Sequence, residues 1–439
     1  MDDYKQLQEI TDTFSKILEV FKRSYYLTTD SRKVKKDCIF VALKGENFNG
    51  HVFAQKAKQD GAALVVVDDI NYYPMQDNSG YLLVDNCERF LQKFANYYRR
   101  TLNIPVLAVS GTNGKTTTKE LLHAVLNKKY KTSATIGNLN NQLGVPMTLL
   151  DIKTDTEVAI VEMGASHLGD IDFLCNIAEP DFALLTNIGT AHIEGFGSKE
   201  GVTQTKTELF RYVSSKFGVC FVNKDDNNIL ANKPLKSVTY SLKYFADIQA
   251  KVINDGNAFA AIEYEDKKIV SHLVGDYNCY NILAAIAIGK FFGIKTDDIV
   301  DAIQNYIPSN NRSEIKKTSR NTLILDCYNA NPSSCSFALN AFKNMKAQDK
   351  RVFIGSMKEL GAVSRVEHEN ITLIIKNMQL KQAIFVGKEY QEFAKGKNIF
   401  WFETSLEAKD FIQQQNINQA LILIKGSRAT KMEVLADVL

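Results

Sequence analysis

The sequence has little of what flexible, exported or membrane proteins are rich in. Its 439 residues include only 7 Pro and 24 Gly, which leaves no Pro/Gly-rich linker or low-complexity tether. The 7 Cys are scattered without a CxxC pair, which favours reduced thiols over a disulfide framework or a zinc site. The longest apolar runs, such as 62–67, fall far short of the ~20 residues that span a bilayer. With the polar start MDDYKQLQEI, which does not resemble a signal peptide, these absences predict a cytoplasmic protein.

An excess of charge of one sign is also missing. There are 53 Lys+Arg against 50 Asp+Glu, and the net charge is +3, with both signs interspersed. A protein that binds nucleic acid or a membrane surface through its bulk field needs a larger imbalance, so neither partner is expected. A content of 45% hydrophobic and 23% charged residues is typical of a folded chain. At roughly 100–200 residues per domain, this length predicts about three domains.

Apolar β-rich runs alternate with helical patterns along most of the chain, which predicts an α/β fold with largely parallel sheets. Candidate strands lie at 63–67, 105–109, 158–161, 182–185, 219–222, 322–325, 352–354 and 420–424. Candidate helices lie at 115–128, 198–213, 280–292 and 333–345. A polar stretch at 99–105 and turn formers at 307–311 suggest boundaries that divide the chain into domains 1–103, 104–308 and 309–439.

A glycine loop with the sequence GTNGKTT, at 111–117, follows a short apolar strand and precedes a helix. In this order the backbone N–H groups and the positive helix N-terminus face an anion, which predicts a phosphate site. Lys115 would reach the β- and γ-phosphates, and the Thr116 hydroxyl would bind Mg²⁺. The loop differs from the standard P-loop, because its first glycine stands three residues before the second instead of five. The alternative is a glycine turn with a chance Lys-Thr pair. The candidate ATP-binding residues here are Gly111, Thr112, Asn113, Gly114, Lys115, Thr116 and Thr117.

Three further residues could carry chemistry, but the sequence alone leaves each open. Glu162 follows a buried strand, where open α/β sheets place their ligands, and it would suit Mg²⁺ or serve as a structural cap. His192 lies just past another strand and could be a ligand or an ordinary loop residue. Lys206 lies on a predicted helix, where a lysine usually belongs to a solvated face.

Together, the shortened loop, Asn138 in GNLNNQLGVP, Glu162, His192 and Lys206 resemble the Mur ligase family. These are ATP-dependent amide ligases that build the peptide of bacterial peptidoglycan. The segments 326–332, 355–361, 425–433, 29–32 and 48–51 are most similar to the branch that adds D-alanyl-D-alanine. One departure is Ser356, which stands where the family usually has Asp, so that position is left out of the predicted site.

The resemblance implies three modules: an N-terminal UDP-sugar-binding α/β domain, a central P-loop-type ATPase domain and a C-terminal Rossmann-like domain. It implies that Lys206 is carbamylated and binds Mg²⁺ with Thr116, Glu162 and His192, with two Mg²⁺ ions in total. Catalysis would fall to Lys115, Glu162, His192 and Lys206. Further ATP contacts would come from Asn138, Asn281 (adenine), Arg312 (phosphate) and Asp326 (ribose). The alternative for Asn278 and Asn281 is helix N-capping.

The resemblance also implies the substrates, UDP-MurNAc-tripeptide and D-Ala-D-Ala, and their binding residues. These are Ser31, Arg32, Asn49, Gly50, His51, Tyr328, Asn329, Asn331, Lys425, Ser427 and Arg428, although the last three could simply form a polar strand end. The implied reaction passes through an acyl phosphate to UDP-MurNAc-pentapeptide, ADP and phosphate, in a monomer of the bacterial cytoplasm that serves cell-wall synthesis, cell shape and cell division. The open alternatives are a Mur-family ligase that adds a single amino acid, a non-catalytic nucleotide-binding protein and a small-metabolite P-loop kinase.

Overall fold

A computed structural model describes residues 2–189, 193–253, 258–309 and 311–439. The fold is α/β with mostly parallel sheets. The helices are α1 (Asp2–Phe21), α2 (Ala54–Gln59), α3 (Cys87–Thr101), α4 (Lys115–Leu126), α5 (Gly144–Leu150), α6 (Asp170–Ala178), α7 (Ile193–Phe196), α8 (Lys199–Ser215), α9 (Asn227–Ala231), α10 (Asn278–Phe291), α11 (Thr296–Asn305), α12 (Pro332–Asn344), α13 (Ser364–Lys376) and α14 (Ser405–Gln413). Within the described ranges, no helix has both the length and the apolar character to cross a membrane.

The strands are short, as is usual for α/β proteins. They are β1 (Leu27–Thr28), β2 (Ile39–Val41), β3 (Lys44–Gly45), β4 (Phe48–Asn49), β5 (Leu64–Val67), β6 (Tyr81–Leu83), β7 (Val106–Ser110), β8 (Thr132–Ala134), β9 (Val158–Glu162), β10 (Phe182–Leu185), β11 (Val219–Asn223), β12 (Ser237–Ser241), β13 (Ile248–Gln249), β14 (Lys251–Val252), β15 (Phe259–Tyr264), β16 (Lys267–Val274), β17 (Glu314–Lys317), β18 (Thr322–Asp326), β19 (Lys350–Gly355), β20 (Gln382–Val386), β21 (Ile399–Phe402) and β22 (Leu421–Lys425). The eight strands and four helices predicted above are all present, and their ends lie within two residues of the predicted ones.

The chain forms two compact units. The first contains the chain up to Ala108 together with Tyr130–Gly164 and Asp170–Phe182, and the second contains Val109–Lys129, Ala165–Gly169 and Ala183–Leu439. The seven-stranded sheet has the order β13-β12-β11-β10-β7-β9-β8. Strand β7 ends at the GTNGKTT loop and β9 ends at Glu162, so these two strand ends carry predicted site residues. Strand β10 ends just before Thr186, which was not predicted.

In the first unit, a parallel sheet of order β1-β2-β5-β6 holds the N-terminal core. Eight of the twelve residues in these strands are β-branched or aromatic, and such residues suit a pleated, half-buried surface. Helix α3 buries an apolar stripe that includes Phe90, Leu91, Phe94 and Tyr98, and Asn86 caps its start by accepting from the N–H of Arg89. This amphipathic spacing is what lets α3 cover a core on one side only.

In the second unit, a six-stranded sheet of order β17-β18-β22-β19-β20-β21 is parallel except for the β17–β18 pair. Successive side chains of β18 point to opposite faces, so Leu323 and Leu325 join one hydrophobic core and Ile324 joins the other. A sheet buried on both faces explains why its strands read as unbroken apolar runs. A smaller antiparallel sheet, β14-β15-β16, was not predicted.

Candidate functional site

The GTNGKTT loop needs both of its glycines. Gly111 and Gly114 have φ of 141° and 78°, a region that residues with a Cβ rarely adopt. A Cβ on Gly111 would lie 2.0 Å from Thr186 Oγ1, and one on Gly114 would lie 2.7 Å from Asn281 Oδ1. The chance-turn alternative does not require such close approach of the backbone. The structure thus has a tightly wound loop directly before the N-terminus of α4, where an anion is favoured.

Lys115 folds back over this loop. Its Nζ donates to the carbonyl oxygens of Gly111 (2.8 Å) and Thr112 (3.1 Å), so the ammonium group stays beside the loop. Thr116, on the first turn of α4, is buried. A cation and a hydroxyl at the same helix N-terminus form a group that can bind a phosphate chain.

Asn113 lies at the centre of the loop, and its backbone is fixed. The N–H of Asn113 donates to Asn187 Oδ1 (3.0 Å), and its carbonyl accepts from Thr186 Oγ1 (2.6 Å) and Asn187 Nδ2 (2.9 Å). Thr186 and Asn187 directly follow β10, so the end of a neighbouring strand sets the loop's shape. The sequence analysis missed both residues, although their position after a buried strand was a usable signal.

Asn281 lies below the same loop. Its Oδ1 accepts from Thr118 Oγ1 (3.0 Å), and its Nδ2 donates to Asn278 Oδ1 (2.8 Å). The capping alternative for Asn278 and Asn281 is wrong, because Tyr277 is the N-cap of α10 and Asn278 donates to the carbonyl of Val274. Asn281 therefore packs closely against Gly114 of the phosphate loop and bonds to Thr118 of α4. Its role toward adenine stays a prediction.

Glu162 is almost fully buried at the end of β9, in the first unit. Its Oε1 accepts from Asn140 Nδ2 (2.8 Å), while its N–H donates to Thr135 Oγ1 (2.9 Å). Asn138, the predicted ATP contact, is exposed, and its carbonyl accepts from the N–H of Asn140. The residue that contacts the carboxylate is thus Asn140, two positions farther along the same segment.

Lys206 is buried within α8, so the solvated-face alternative is wrong. Its Nζ lies 5.8 Å from the centre of the Phe196 ring, and the ring face provides a favourable contact for a cation. His192 lies outside the described residues.

The predicted acceptor residues of the C-terminal segment come together in the second unit. Asp326 and Lys425 are in register on the adjacent strands β18 and β22, and Lys425 Nζ donates to Asp326 Oδ2 at 2.6 Å. Burial alone would lower the pKa of Lys425, but the facing carboxylate of Asp326 outweighs burial and raises it. The lysine therefore stays charged although its side chain is only 1% exposed.

The ring of Tyr328 lies close to two arginines. The Arg312 guanidinium lies 3.9 Å from the centre of the Tyr328 ring, and that of Arg428 lies 6.0 Å from it. The hydroxyl of the nearby Ser427 is buried and has no hydrogen-bond partner among the described residues. Two cations on an aromatic ring, with a free buried hydroxyl in the same segment, form an environment that suits an anionic group.

Three of the predicted residues of the first unit, Arg32, Asn49 and His51, are held by neighbouring side chains. Arg32 forms a bidentate pair with Asp30 and holds the pKa of that carboxyl down to about 2. Asn49 accepts from the N–H of His51 and lies 2.8 Å from its Nδ1, and His51 Nε2 lies 2.7 Å from Asp68 Oδ1. Of the predicted substrate residues, His51 alone lines a cavity of about 580 Å³; the other lining residues are Lys44, Asp68, Asp69, Ile70, Leu83, Val84 and Asp85.

His51, Asp68 and Cys87 bring potential ligand atoms within 4.8 Å of one another. Burial raises the pKa of the Cys87 thiol, and its Sγ donates to the carbonyl of Val66. Because a metal ligand must be the thiolate, this group is described better as a hydrogen-bonded support of the cavity wall.

Three family models match the chain in order. The description "Mur ligase family, catalytic domain" matches residues 24–99, "Mur ligase middle domain" matches 109–289, and "Mur ligase, glutamate ligase domain" matches 311–428. The matched segments cover most of the chain, and the exact domain boundaries stay a prediction.

Curated relatives align over nearly the whole chain. The UDP-N-acetylmuramoyl-tripeptide--D-alanyl-D-alanine ligase of Bacillus subtilis (strain 168) is 33% identical over 421 residues, which cover 93% of this chain and 91% of the relative. The protein of the same name from Escherichia coli (strain K12) is 32% identical and covers 93% of this chain and 92% of its own.

Solved structures of similar proteins share the fold. MurF from Acinetobacter baumannii superposes with a TM-score of 0.83 at 30% identity, over 94% of this chain and 92% of that one. The MurF ligase from Thermotoga maritima in complex with ADP gives a TM-score of 0.81 at 26% identity, over 94% and 96% of the two chains.

Proposed function

This chain belongs to the Mur ligase family, and from that premise we propose that it adds D-alanyl-D-alanine to UDP-N-acetylmuramoyl-tripeptide at the expense of ATP. The observation that carries the proposal is the assembly, within one unit, of a tightly wound phosphate loop and a group of cations that comprises the buried Lys425 and the more accessible Arg312 and Arg428. The first fits the phosphates of ATP, and the second fits the carboxylate of an acceptor dipeptide. The product is UDP-N-acetylmuramoyl-pentapeptide, a precursor of peptidoglycan.

Amide formation from a free carboxylate is unfavourable in water, so the carboxylate must first be activated. A terminal carboxylate oxygen of the tripeptide attacks the γ-phosphorus of ATP, and the bond from this phosphorus to the β-γ bridging oxygen breaks. The products of this step are an acyl phosphate and ADP. The amine of D-Ala-D-Ala then attacks the acyl carbon, the amine loses its proton, and phosphate departs. Lys115 and the loop N–H groups stabilise the charge on the transferring phosphoryl group.

The acceptor side is built around Lys425. The buried Lys425–Asp326 pair fixes the end of β22, and this places Ser427 and Arg428 in the loop that follows it. We assign the carboxylate of D-Ala-D-Ala to Arg428 and Ser427, because the Ser427 hydroxyl has no other partner among the described residues. Tyr328, Asn329 and Asn331 are the further residues that we propose for the acceptor, and we assign Arg312, which lies over the Tyr328 ring, to a phosphate of ATP. Since Asp326 is engaged by Lys425, its contact with the ribose would use its remaining oxygen.

Magnesium fits the donor set of this chain. The carboxylate of Glu162, the hydroxyl of Thr116 and a carbamate on Lys206 are oxygen ligands of the kind that Mg²⁺ prefers, with His192 as a further proposed ligand. Glu162 is held in one orientation by Asn140, as an oriented ligand requires. When bound, the proposed two ions would neutralise charge on the phosphates.

In the first unit, the cavity beside His51 is the proposed site for part of the UDP-linked substrate, with Ser31, Arg32, Asn49 and Gly50 on neighbouring segments. Because both the nucleotide-linked substrate and ATP belong to metabolite pools inside the cell, we place the enzyme in the bacterial cytoplasm. We propose that it works as a monomer, without nucleic acid.

Phosphate release tests the proposal. The full chain with ATP, Mg²⁺ and UDP-N-acetylmuramoyl-tripeptide should release phosphate when D-Ala-D-Ala is added, and Lys115→Ala should abolish that release. Lys153→Ala, on an exposed lysine, is the matched control and should remain active. If single amino acids replace the dipeptide equally well, the chain is a different ligase of the family. If no amine stimulates release, the proposal is wrong.

A further inference from the structure

Three side chains from two distant segments form a closed ring of hydrogen bonds. Asn331 Nδ2 donates to Asn113 Oδ1 (2.8 Å), and Asn113 Nδ2 donates to Ser333 Oγ (2.8 Å). Ser333 Oγ in turn donates to Asn331 Oδ1 (3.0 Å), which closes the ring. Each donor and acceptor is used in a consistent direction, so the three side chains fix one another's orientation.

One end of the ring is part of the phosphate loop. The main chain of Asn113 is already held by Thr186 and Asn187, so its side chain projects from a rigid peptide. The side-chain amide of Asn113 donates one N–H to Ser333 and accepts from Asn331 at its oxygen. It is therefore engaged with the segment that begins at Asn331, and its predicted contact with ATP stays a prediction.

The other end belongs to the segment that carries the acceptor residues. Asn331 is the N-cap of α12: its Oδ1 accepts from the N–H of Ser334, and Ser334 Oγ accepts from the N–H of Asn331. It ends the run that begins at Asp326 and contains Tyr328 and Asn329. A shift at Asn331 would move this run, because α12 starts at the next residue.

We propose that Ser333 is a positioning residue, which through this ring ties the acceptor segment 326–331 to the phosphate loop, so that nucleotide in the loop orders the site for the dipeptide. The inference rests on the proposed function for the identity of the two ligands. The loop keeps its shape without the ring, since Thr186 and Asn187 hold its backbone. Loss of the ring therefore weakens the link and leaves nucleotide binding in place.

The chain offers a matched pair of variants on adjacent serines. Ser333→Ala breaks the ring and leaves the capping box of α12, whereas Ser334→Ala removes the capping box and leaves the ring. Ser333→Thr keeps the hydroxyl and should restore the behaviour of the wild type. Asn113→Ala breaks the ring from the other side. If the ring acts as a unit, the double variant Asn113→Ala/Ser333→Ala should show no larger effect on the coupling than Asn113→Ala alone.

Hydrogen exchange with and without ADP measures the coupling between the phosphate loop and the acceptor segment. In the wild type, ADP should slow exchange both at the loop (111–117) and at the start of α12 (332–340), by about 5-fold or more at the latter, a typical size for coupling between sites. In Ser333→Ala the loop should stay protected and the protection of α12 should be lost. Ser334→Ala should exchange faster at α12 without ADP but still respond to it.

In steady-state kinetics, the loss of the ring should change the KM for one substrate much more than the KM for the other. Ser333→Ala should raise the KM for D-Ala-D-Ala about 5-fold and change the KM for ATP less than 2-fold. If ADP protects α12 from exchange equally in Ser333→Ala and in the wild type, the inference is wrong. It is also wrong if ADP protects the loop of the wild type but leaves exchange in α12 unchanged. Absence of ADP protection at the loop would overturn the proposed nucleotide binding, and the inference with it.

Discussion

At the end of β22, the ammonium group of Lys425 is almost fully buried and faces the carboxylate of Asp326. A buried pair contributes little net stability compared with an apolar replacement of both partners, but removal of one partner leaves a charge without compensation. The raised pKa of Lys425 reflects this dependence on Asp326. The pair therefore combines a structural role with the proposed role in acceptor binding.

Lys425→Met should lower the free energy of unfolding by about 3 kcal/mol, because it leaves Asp326 partly buried without a cation. Urea denaturation of the wild type and the variant measures this difference. The exposed Lys153–Asp151 pair provides the comparison: Lys153→Ala should cost less than about 1 kcal/mol. Equal effects of the two substitutions would mean that the buried pair has no special weight.

His368 is a second buried ionisable residue. In its neutral form, the imidazole of His368 holds the loop that follows β19. Its Nε2 accepts from the N–H of Met357 (3.0 Å), and its Nδ1 donates to the carbonyl of Ser364 (2.7 Å). Burial lowers its pKa. A charged ring could not accept from Met357, so protonation would break the connection to the segment that contains Ser356.

Because the pKa of His368 is lower in the folded than in the unfolded state, the unfolded chain binds its proton first as the pH falls. The stability from the neutral ring is present above the unfolded pKa of ~6.5 and is lost as the pH falls toward the folded pKa. Urea denaturation at pH 7.5 and 5.5 should show a smaller pH dependence in His368→Gln than in wild type. His272→Gln, at an exposed site, should keep the wild-type dependence; if His368→Gln also keeps it, this residue is not its source.

At the scale of elements, the long apolar strands were predictable and the antiparallel sheet was not. A buried strand such as β10 reads as a continuous apolar run, and its observed bounds match the predicted 182–185. The β15–β16 hairpin turns through Glu265 and Asp266, which have φ of 47° and 59°. Two-residue turns of this kind usually carry Asn-Gly or Asp-Gly, and the Glu-Asp pair found here is not a turn signal.

Asp266→Gly should raise the free energy of unfolding by about 0.5–1 kcal/mol, because glycine adopts a positive φ without the steric cost of a Cβ. Thermal or urea denaturation measures the change. Asp151→Gly is the control, since Asp151 ends α5 with φ of −86°, where glycine gains nothing and loses more entropy. A stabilising effect at both positions would contradict the explanation from backbone conformation.

The candidate site was only partly predictable for a related reason. The glycine loop and Lys115 could be identified because their spacing along the chain determines their chemistry. The partners Asn140 and Ser333 could not be identified in the same way, because their contacts depend on rotamers and on how loops return to the strand ends. The burial of Lys206 was likewise invisible, since its neighbours on α8 include both polar and apolar residues.

At the scale of the whole molecule, the near-neutral charge proved a poor guide to the substrates. A net charge of +3 argues against binding through a bulk field. We propose instead that local groups bind the anionic substrates: Lys115 and Arg312 the phosphates of ATP, and Arg428 the carboxylate of the dipeptide. The scarcity of linkers suits a ligase, because a reactive acyl phosphate must be kept away from water and close to the incoming amine.

The fate of a carboxylate oxygen of the tripeptide shows whether the reaction passes through an acyl phosphate. UDP-N-acetylmuramoyl-tripeptide labelled with ¹⁸O at both oxygens of its terminal carboxylate is incubated with the enzyme, ATP, Mg²⁺ and D-Ala-D-Ala. The masses of the products are then measured by mass spectrometry. The account predicts UDP-N-acetylmuramoyl-pentapeptide, ADP, and one ¹⁸O in the released phosphate. Phosphate without the label, or the absence of the pentapeptide, would contradict it.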